Sequence, residues 1–289
     1  MEVKSGELGA GTFRRIAAKA GLPWLAGALP FPAQPETHEE PMSIPVALQL
    51  WSVRDDCAAD FPGTLAKIAE MGYEGVEFAG FHGLAASELR TILDGLGLKI
   101  AGSHTDMALL KGEECQKTLA YNAELGNRRL VIPSVLEKYH GSIDGWRRVG
   151  GEIAEIATHA REEDFSLGYH NHAFEFTAID GVLPERVLFG ELPAEVRAQI
   201  DVGWVAATGH DPVETLHEFS PRIATVHIKE FSAKDETAVI GTGSVDFPAV
   251  FAQCDEIGVA WTILEHENYA APPLTCVKQC LDNVRGMGR

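Results

Sequence analysis

The sequence predicts a single (β/α)8 barrel, and three observations carry the prediction. From Ser43 onward, short apolar runs alternate with longer amphipathic ones, the rhythm of a parallel sheet joined by crossover helices. Eight such pairs can be counted, and residues 42–289 are close to the roughly 250 residues that eight units occupy. An open doubly wound sheet is disfavoured because the first strand–helix junction carries no Gly-x-Gly-x-x-Gly turn to hold a dinucleotide phosphate.

The strands are expected at Val46–Trp51, Gly75–Phe78, Lys99–Ser103, Leu130–Ile132, Leu167–Asn171, Ala198–Val202, Thr225–Ile228 and Trp261–Glu265. Helices are expected at Pro62–Met71, Ala86–Leu96, Glu113–Leu125, Trp146–Glu163, Pro212–Phe219, Phe247–Ile257 and Thr275–Met287. Glycine follows four of them where a left-handed C-cap is wanted, at Gly72, Gly97, Gly126 and Gly258. The segment 172–197 reads as a long loop after the fifth strand, and long loops at that end of a barrel cover the site, so it is the lid candidate.

Composition narrows the function classes. The chain is 45% hydrophobic and 23% charged, as a protein with a sizeable core should be. Its net charge of −18 and lack of any long Lys/Arg run argue against nucleic acid and anionic membranes as partners, leaving a small molecule and, as an option, further copies of the chain. The five cysteines are scattered without a Cys-x-x-Cys pair, so they read as buried thiols, and no apolar stretch reaches the roughly 18 residues of a membrane span. Residues 1–41 stand apart from the barrel. They place Arg14-Arg15 before a weakly apolar segment, which reads either as an upstream extension, with a cytoplasmic protein starting at Met42, or as a twin-arginine-type signal, with a periplasmic one.

In a barrel the chemistry lies at the carboxyl ends of the strands. There the sequence places Trp51, Glu77, His104, His170 and His172, Asp201, His227 and Glu265. His170, Asp201, His227 and Glu265 come from four consecutive strand ends, and mixed imidazole and carboxylate donors suit Mn2+, Co2+, Fe2+ or Zn2+ better than Ca2+. Glu77 needs a substrate group or a cation to meet it if it is buried. Glu175 is either a carboxylate beneath the lid or the outward residue of a short strand, and Gly241–Gly243 is either a phosphate-binding turn or an ordinary one.

The fragments LGYHNHAFEF, IDVGWVAATGHDP, VHIKEF, GTGSVDF and ILEHEN, in that order, resemble the sugar phosphate isomerase/epimerase family of xylose isomerase-like barrels, and the resemblance runs from about residue 44 to 286. It implies a metal held by Glu, Asp, His and Glu, of which Asp201, His227 and Glu265 match the last three. The first place is taken by His170, or by Asn171 or His172 if the register shifts, and this puts two-base epimerisation in doubt.

A second departure is Trp204, where a substrate-facing histidine is usual; it would stack on a sugar face or fill the mouth. Lys229, two residues beyond His227, would polarise a carbonyl or else be a solvated strand-end lysine. His104 and His172 would contact substrate hydroxyls or serve as hydrogen-bonded loop histidines, and Trp51 would wall the mouth.

The resemblance implies a divalent-metal-dependent isomerase or epimerase of a keto sugar or keto-glycoside. Mn2+ is the first choice of metal, with Co2+, Fe2+, Zn2+ or Mg2+ as alternatives. Glu265 would remove a proton next to the carbonyl, Lys229 or His170 would help electrophilically, and the metal would stabilise the enediolate. The alternatives are a lyase, hydrolase or dehydratase on a related keto sugar or inosose, and a non-catalytic sugar-binding barrel.

Overall fold

The computed structural model describes residues 44–289, so the expectation for residues 1–41 lies outside the described residues. Eight parallel strands close into one barrel in sequence order: β1 (Val46–Gln49), β2 (Gly75–Phe78), β3 (Lys99–His104), β4 (Arg129–Ile132), β5 (Ser166–His170), β6 (Arg197–Asp201), β7 (Ile223–Ile228) and β8 (Trp261–Leu264). Closure is made by β8 on β1, with Val46 opposite Thr262 and Leu48 opposite Leu264.

Around the barrel run α1 (Arg54–Ala59), α2 (Phe61–Met71), α3 (Ala86–Leu96), α4 (Gly112–Leu125), α5 (Ile143–Glu162), α6 (Pro184–Glu191), α7 (Val202–Ala207), α8 (Pro212–Phe219), α9 (Phe247–Ile257) and α10 (Pro273–Gly286). The glycines at 72, 97, 126 and 258 all take left-handed C-cap conformations, as expected.

Two differences from the sequence reading concern the strand ends and the lid candidate. Trp51, Asn171, Val202 and Glu265, expected as last strand residues, lie just past the strands. At β1 the Gln49 side chain accepts from the Trp51 N–H and turns the chain into a 3-10 turn; at β6 the Asp201 side chain accepts from the Trp204 N–H and starts α7. The lid candidate 172–197 is not one long loop. It holds a 3-10 turn at Phe174–Phe176 and helix α6, which opens on Pro184 and packs against α5.

The core between strands and helices is continuous, while Ala47, Ala101, Trp261 and Ile263 form a separate apolar plug inside the barrel. Small residues make room for the indole: a Cβ on Gly75 would stand 2.8 Å from the Trp261 ring and 2.7 Å from the Lys99 carbonyl oxygen. All five cysteines are buried and free, and no helix among the described residues is long and apolar enough to cross a membrane.

Gly75→Ala overfills this plug, and urea denaturation should show a loss of about 1–3 kcal/mol in stability; an unchanged midpoint would mean that the barrel interior is slack.

Candidate functional site

Above the apolar plug the barrel axis is polar. His170, Asp201, His227 and Glu265 each offer a ligand atom within 4.8 Å of the others, and all four residues are buried. They come from the ends of β5, β6 and β7 and from the residue after β8, so the expected set meets in space. His170, rather than Asn171 or His172, takes the first place. Asn171 is turned to the backbone of Asp201, whose N–H donates to Asn171 Oδ1 at 2.9 Å.

The protonation pattern around the cluster follows from one glutamine. Gln199 Nε2 donates to Glu77 Oε1 at 2.7 Å and to Thr225 Oγ1 at 2.9 Å, and an ionised carboxylate can only accept. The glutamine oxygen therefore faces the imidazoles, accepting from His104 Nε2 at 2.8 Å and from His170 Nδ1 at 3.1 Å. With its proton on Nδ1, His170 keeps the Nε2 lone pair for a ligand. Burial, reinforced by His227, His104 and His172, holds His170 well below the ordinary histidine range and so neutral.

His227 lies between two carboxylates, with Nε2 2.7 Å from Glu77 Oε2 and Nδ1 2.7 Å from Glu265 Oε2. Burial opposes a charge on this ring, but Glu77 and Glu265 overcome it and raise its pKa from 6.5 to about 10. Burial likewise opposes ionisation of Glu77, yet His104 and His227 keep its carboxyl well below the usual range. For Glu265, Lys229 and His227 do the same. Asp201 goes the other way: burial pushes it from 3.8 to about 7, with Lys229 pulling it down in part. Its Oδ1 caps α7, and its Oδ2 is buried with no hydrogen-bond partner among the described residues.

These observations fit a divalent cation. A buried carboxylate oxygen without a partner is costly, and a cation held by Asp201, Glu265, His170 Nε2 and His227 Nδ1 would satisfy it. Glu77 would then be the carboxylate that orients a metal-binding histidine through its far nitrogen. Glu77, expected to face substrate, is fully buried and spends its oxygens on Gln49, Gln199, His104 and His227. The cation it needed is the imidazole of His227.

The mouth is a cavity of about 480 Å3 lined by Trp51, His104, Asp106, His170, His172 and Glu265, among others. Trp51 is 47% exposed and forms a wall, with the Arg54 guanidinium 4.9 Å over its ring. Burial lowers His172 to about 4, which keeps it neutral, and its Nδ1 has no partner among the described residues. Glu175 lies behind this wall: fully buried, it accepts from Tyr169 Oη at 2.6 Å and from the His172 N–H at 2.8 Å, so it holds the loop rather than lining the mouth.

Lys229 and Trp204 lie to one side. Lys229 Nζ is 4.4 Å above the Trp204 ring and 2.9 Å from Glu267 Oε1, so the lysine is paired rather than solvated. The turn Gly241–Gly243 is occupied by the chain itself. Glu230 accepts from the N–H groups of Phe231, Gly241, Ser244 and Val245, and a Cβ on Gly243 would collide with its carboxylate at 2.4 Å. An ordinary turn is therefore the better description.

Sequence reasoning left Gln49, Gln199 and Glu267 unassigned. Gln199 could have been found, because it precedes Asp201 by two residues and so shares its face of β6. Glu267 follows the strand in a loop and gave no such signal.

A closed (β/α)8 barrel with a buried His-Asp-His-Glu cluster at the carboxyl ends of its strands is the arrangement of a barrel enzyme whose site could hold a metal ion. Residues 65–282 match the profile of the family described as xylose isomerase-like TIM barrel, and the chain belongs to that family. It is similar to the inosose dehydratase of Lacticaseibacillus casei, with 23% identity over 72% of this chain and 82% of that protein.

Among solved structures it is similar to a sugar phosphate isomerase/epimerase from Parabacteroides distasonis, with a TM-score of 0.73, 23% identity and coverage of 88% of this chain and 98% of the other. It is also similar to a probable 3-DHS dehydratase from Bacillus anthracis, with a TM-score of 0.65, 14% identity and coverage of 83% and 98%.

Glu77→Gln keeps the shape but removes the charge that orients His227. Mn2+ affinity, followed by titration with elemental analysis, should fall about 10- to 100-fold with the fold intact; wild-type affinity in the variant would remove Glu77 from the metal site.

Proposed function

We propose that this protein is a divalent-metal-dependent enzyme that removes the proton next to the carbonyl of a small keto sugar or keto-glycoside, with Mn2+ as the first choice of metal. The observation that carries the reading is the buried Asp201 Oδ2, without a partner among the described residues, in a group of four donor atoms at the carboxyl ends of the strands. A metal bound there supplies Lewis-acid charge that favours an enediolate over its carbonyl precursor.

Glu265 is the base. One of its oxygens would hold the metal and the other would accept the carbon-bound proton, and Lys229 and His227, against the effect of burial, keep it ionised beforehand. His170 is oriented through Gln199, while His104 and the neutral His172 line the cavity where substrate hydroxyls would lie. Lys229 contributes positive charge from the side, held close to Asp201 and Glu265. Trp51 walls the substrate cavity.

One carboxylate base in the cluster, with a histidine where a second glutamate would stand, favours chemistry on a single face. The same base can return the proton to the neighbouring carbon while the hydroxyl proton passes to the former carbonyl oxygen, giving isomerisation. A hydroxyl β to the carbonyl can instead leave, taking the proton held by the base and departing as water, giving elimination. The second outcome has support of its own in the likeness to inosose dehydratases and to a probable 3-DHS dehydratase.

In deuterated water, the Mn2+-loaded protein should exchange the C–H next to the carbonyl of a productive keto sugar, and Glu265→Gln should slow that exchange by about 10^2- to 10^4-fold. Mass spectrometry of the product separates an isomer from a product lighter by one water. Exchange unaffected in Glu265→Gln would contradict the assignment of the base.

A further inference from the structure

Beside the mouth lies a second cavity, of about 290 Å3, which the chemistry above does not use. Its walls come from α7, from the loop after β7 and from the loop after β8, and include Trp204, Lys229, Phe231, Ser232, His266 and Asn268. Glu267 lines both this cavity and the mouth. The Lys229–Glu267 ion pair is thus the partition between two neighbouring compartments, and the larger one is lined by His170 and Glu265 of the cluster.

Two features mark the second compartment as built. The loop forming its outer wall is tied down where Glu230 gathers the backbone N–H groups of Phe231, Gly241, Ser244 and Val245 onto one carboxylate. Lining the compartment are polar atoms that nothing among the described residues satisfies: Trp204 Nε1 and His266 Nε2 are buried without hydrogen-bond partners. His266 is 5% exposed. The ammonium of Lys229, 8% exposed, has donors beyond the one spent on Glu267. Unmet donors of this kind are expensive unless a ligand answers them.

Resting on the function proposed above, we infer that the substrate has two joined parts. A keto-sugar ring lies over the metal-ligand cluster, and a second, oxygen-rich ring lies in the compartment behind the Lys229–Glu267 pair. The indole N–H and the ammonium donate, so the second part is a hydrogen-bond acceptor, and a glycosidically attached sugar has that chemistry. Trp204 and Lys229 then act in specificity for the second ring rather than at the reacting carbonyl. The join between the rings passes Glu267, which places it beside the cluster.

The test uses the Mg2+-loaded full chain and saturation-transfer NMR with two probes: fructose, a one-ring ketose, and lactulose, a ketose carrying a second sugar ring. Lactulose should bind about tenfold more tightly than fructose, with saturation reaching both of its rings. The ratio of the two affinities should fall toward one both in His266→Ala, which removes a polar partner, and in Ala238→Phe, which fills the compartment from its loop.

Equal affinities in the wild type, or a ratio that neither variant changes, would overturn the two-part substrate while leaving the keto-sugar reading in place. Binding of neither probe would count against the keto-sugar reading itself and remove this inference with it.

Discussion

The whole site depends on one buried imidazole held between two carboxylates. His227 sits 2.7 Å from both Glu77 and Glu265, with none of the three side chains more than 4% exposed. Removing one partner from such a set would strand a charge at a cost of about 3–5 kcal/mol, so each member fixes the others in place and in charge. Glu77 stays ionised because of His227 and His104; its charge fixes which way Gln199 points; Gln199 then puts the proton of His170 on Nδ1 and leaves Nε2 open. A chain of hydrogen bonds from β2 thus determines which histidine atom faces the cluster on β5.

The same arrangement brings candidate metal ligands and the proposed base together, with Glu265 Oε2 2.7 Å from His227 Nδ1. Asp201 is divided between two tasks, with Oδ1 capping α7 and Oδ2 without a hydrogen-bond partner among the described residues. Because the capping bond sets where α7 begins, the local turn that ends β6 also aims the ligand atom. Beyond the cluster, Glu267 and Lys229 neutralise one another at the edge of the mouth and keep the Lys229 charge near Asp201 and Glu265.

Most of the barrel was legible because short, continuous apolar runs and helical runs with glycine caps are local signals. Gly75–Phe78, Ala86–Leu96, Pro212–Phe219 and Phe247–Ile257 have the boundaries their residues suggest. Helices α1, α6 and α7 were not legible. They are short, and α6 opens on a proline inside a segment whose polar residues read as loop.

At the site, the four cluster residues were legible from their places at strand ends, since barrel closure makes strand ends converge. The roles of Glu77 and Glu175 were not, because both are decided by partners far away or out of phase in sequence: His227 and Gln199 for the first, Tyr169 behind β5 for the second. Which cavity Lys229 serves was also hidden, since it depends on Glu267 and Trp204 from two other segments.

The central claim is that His170 and His227 ligate one divalent cation together with Asp201 and Glu265. Electron spin-echo spectroscopy of Mn2+ bound to the protein carrying 15N-labelled histidine tests it most directly. The account predicts couplings from two histidine nitrogens, reduced to one in His170→Ala. Bound Mn2+ without histidine coupling, or with coupling that His170→Ala leaves unchanged, would contradict it.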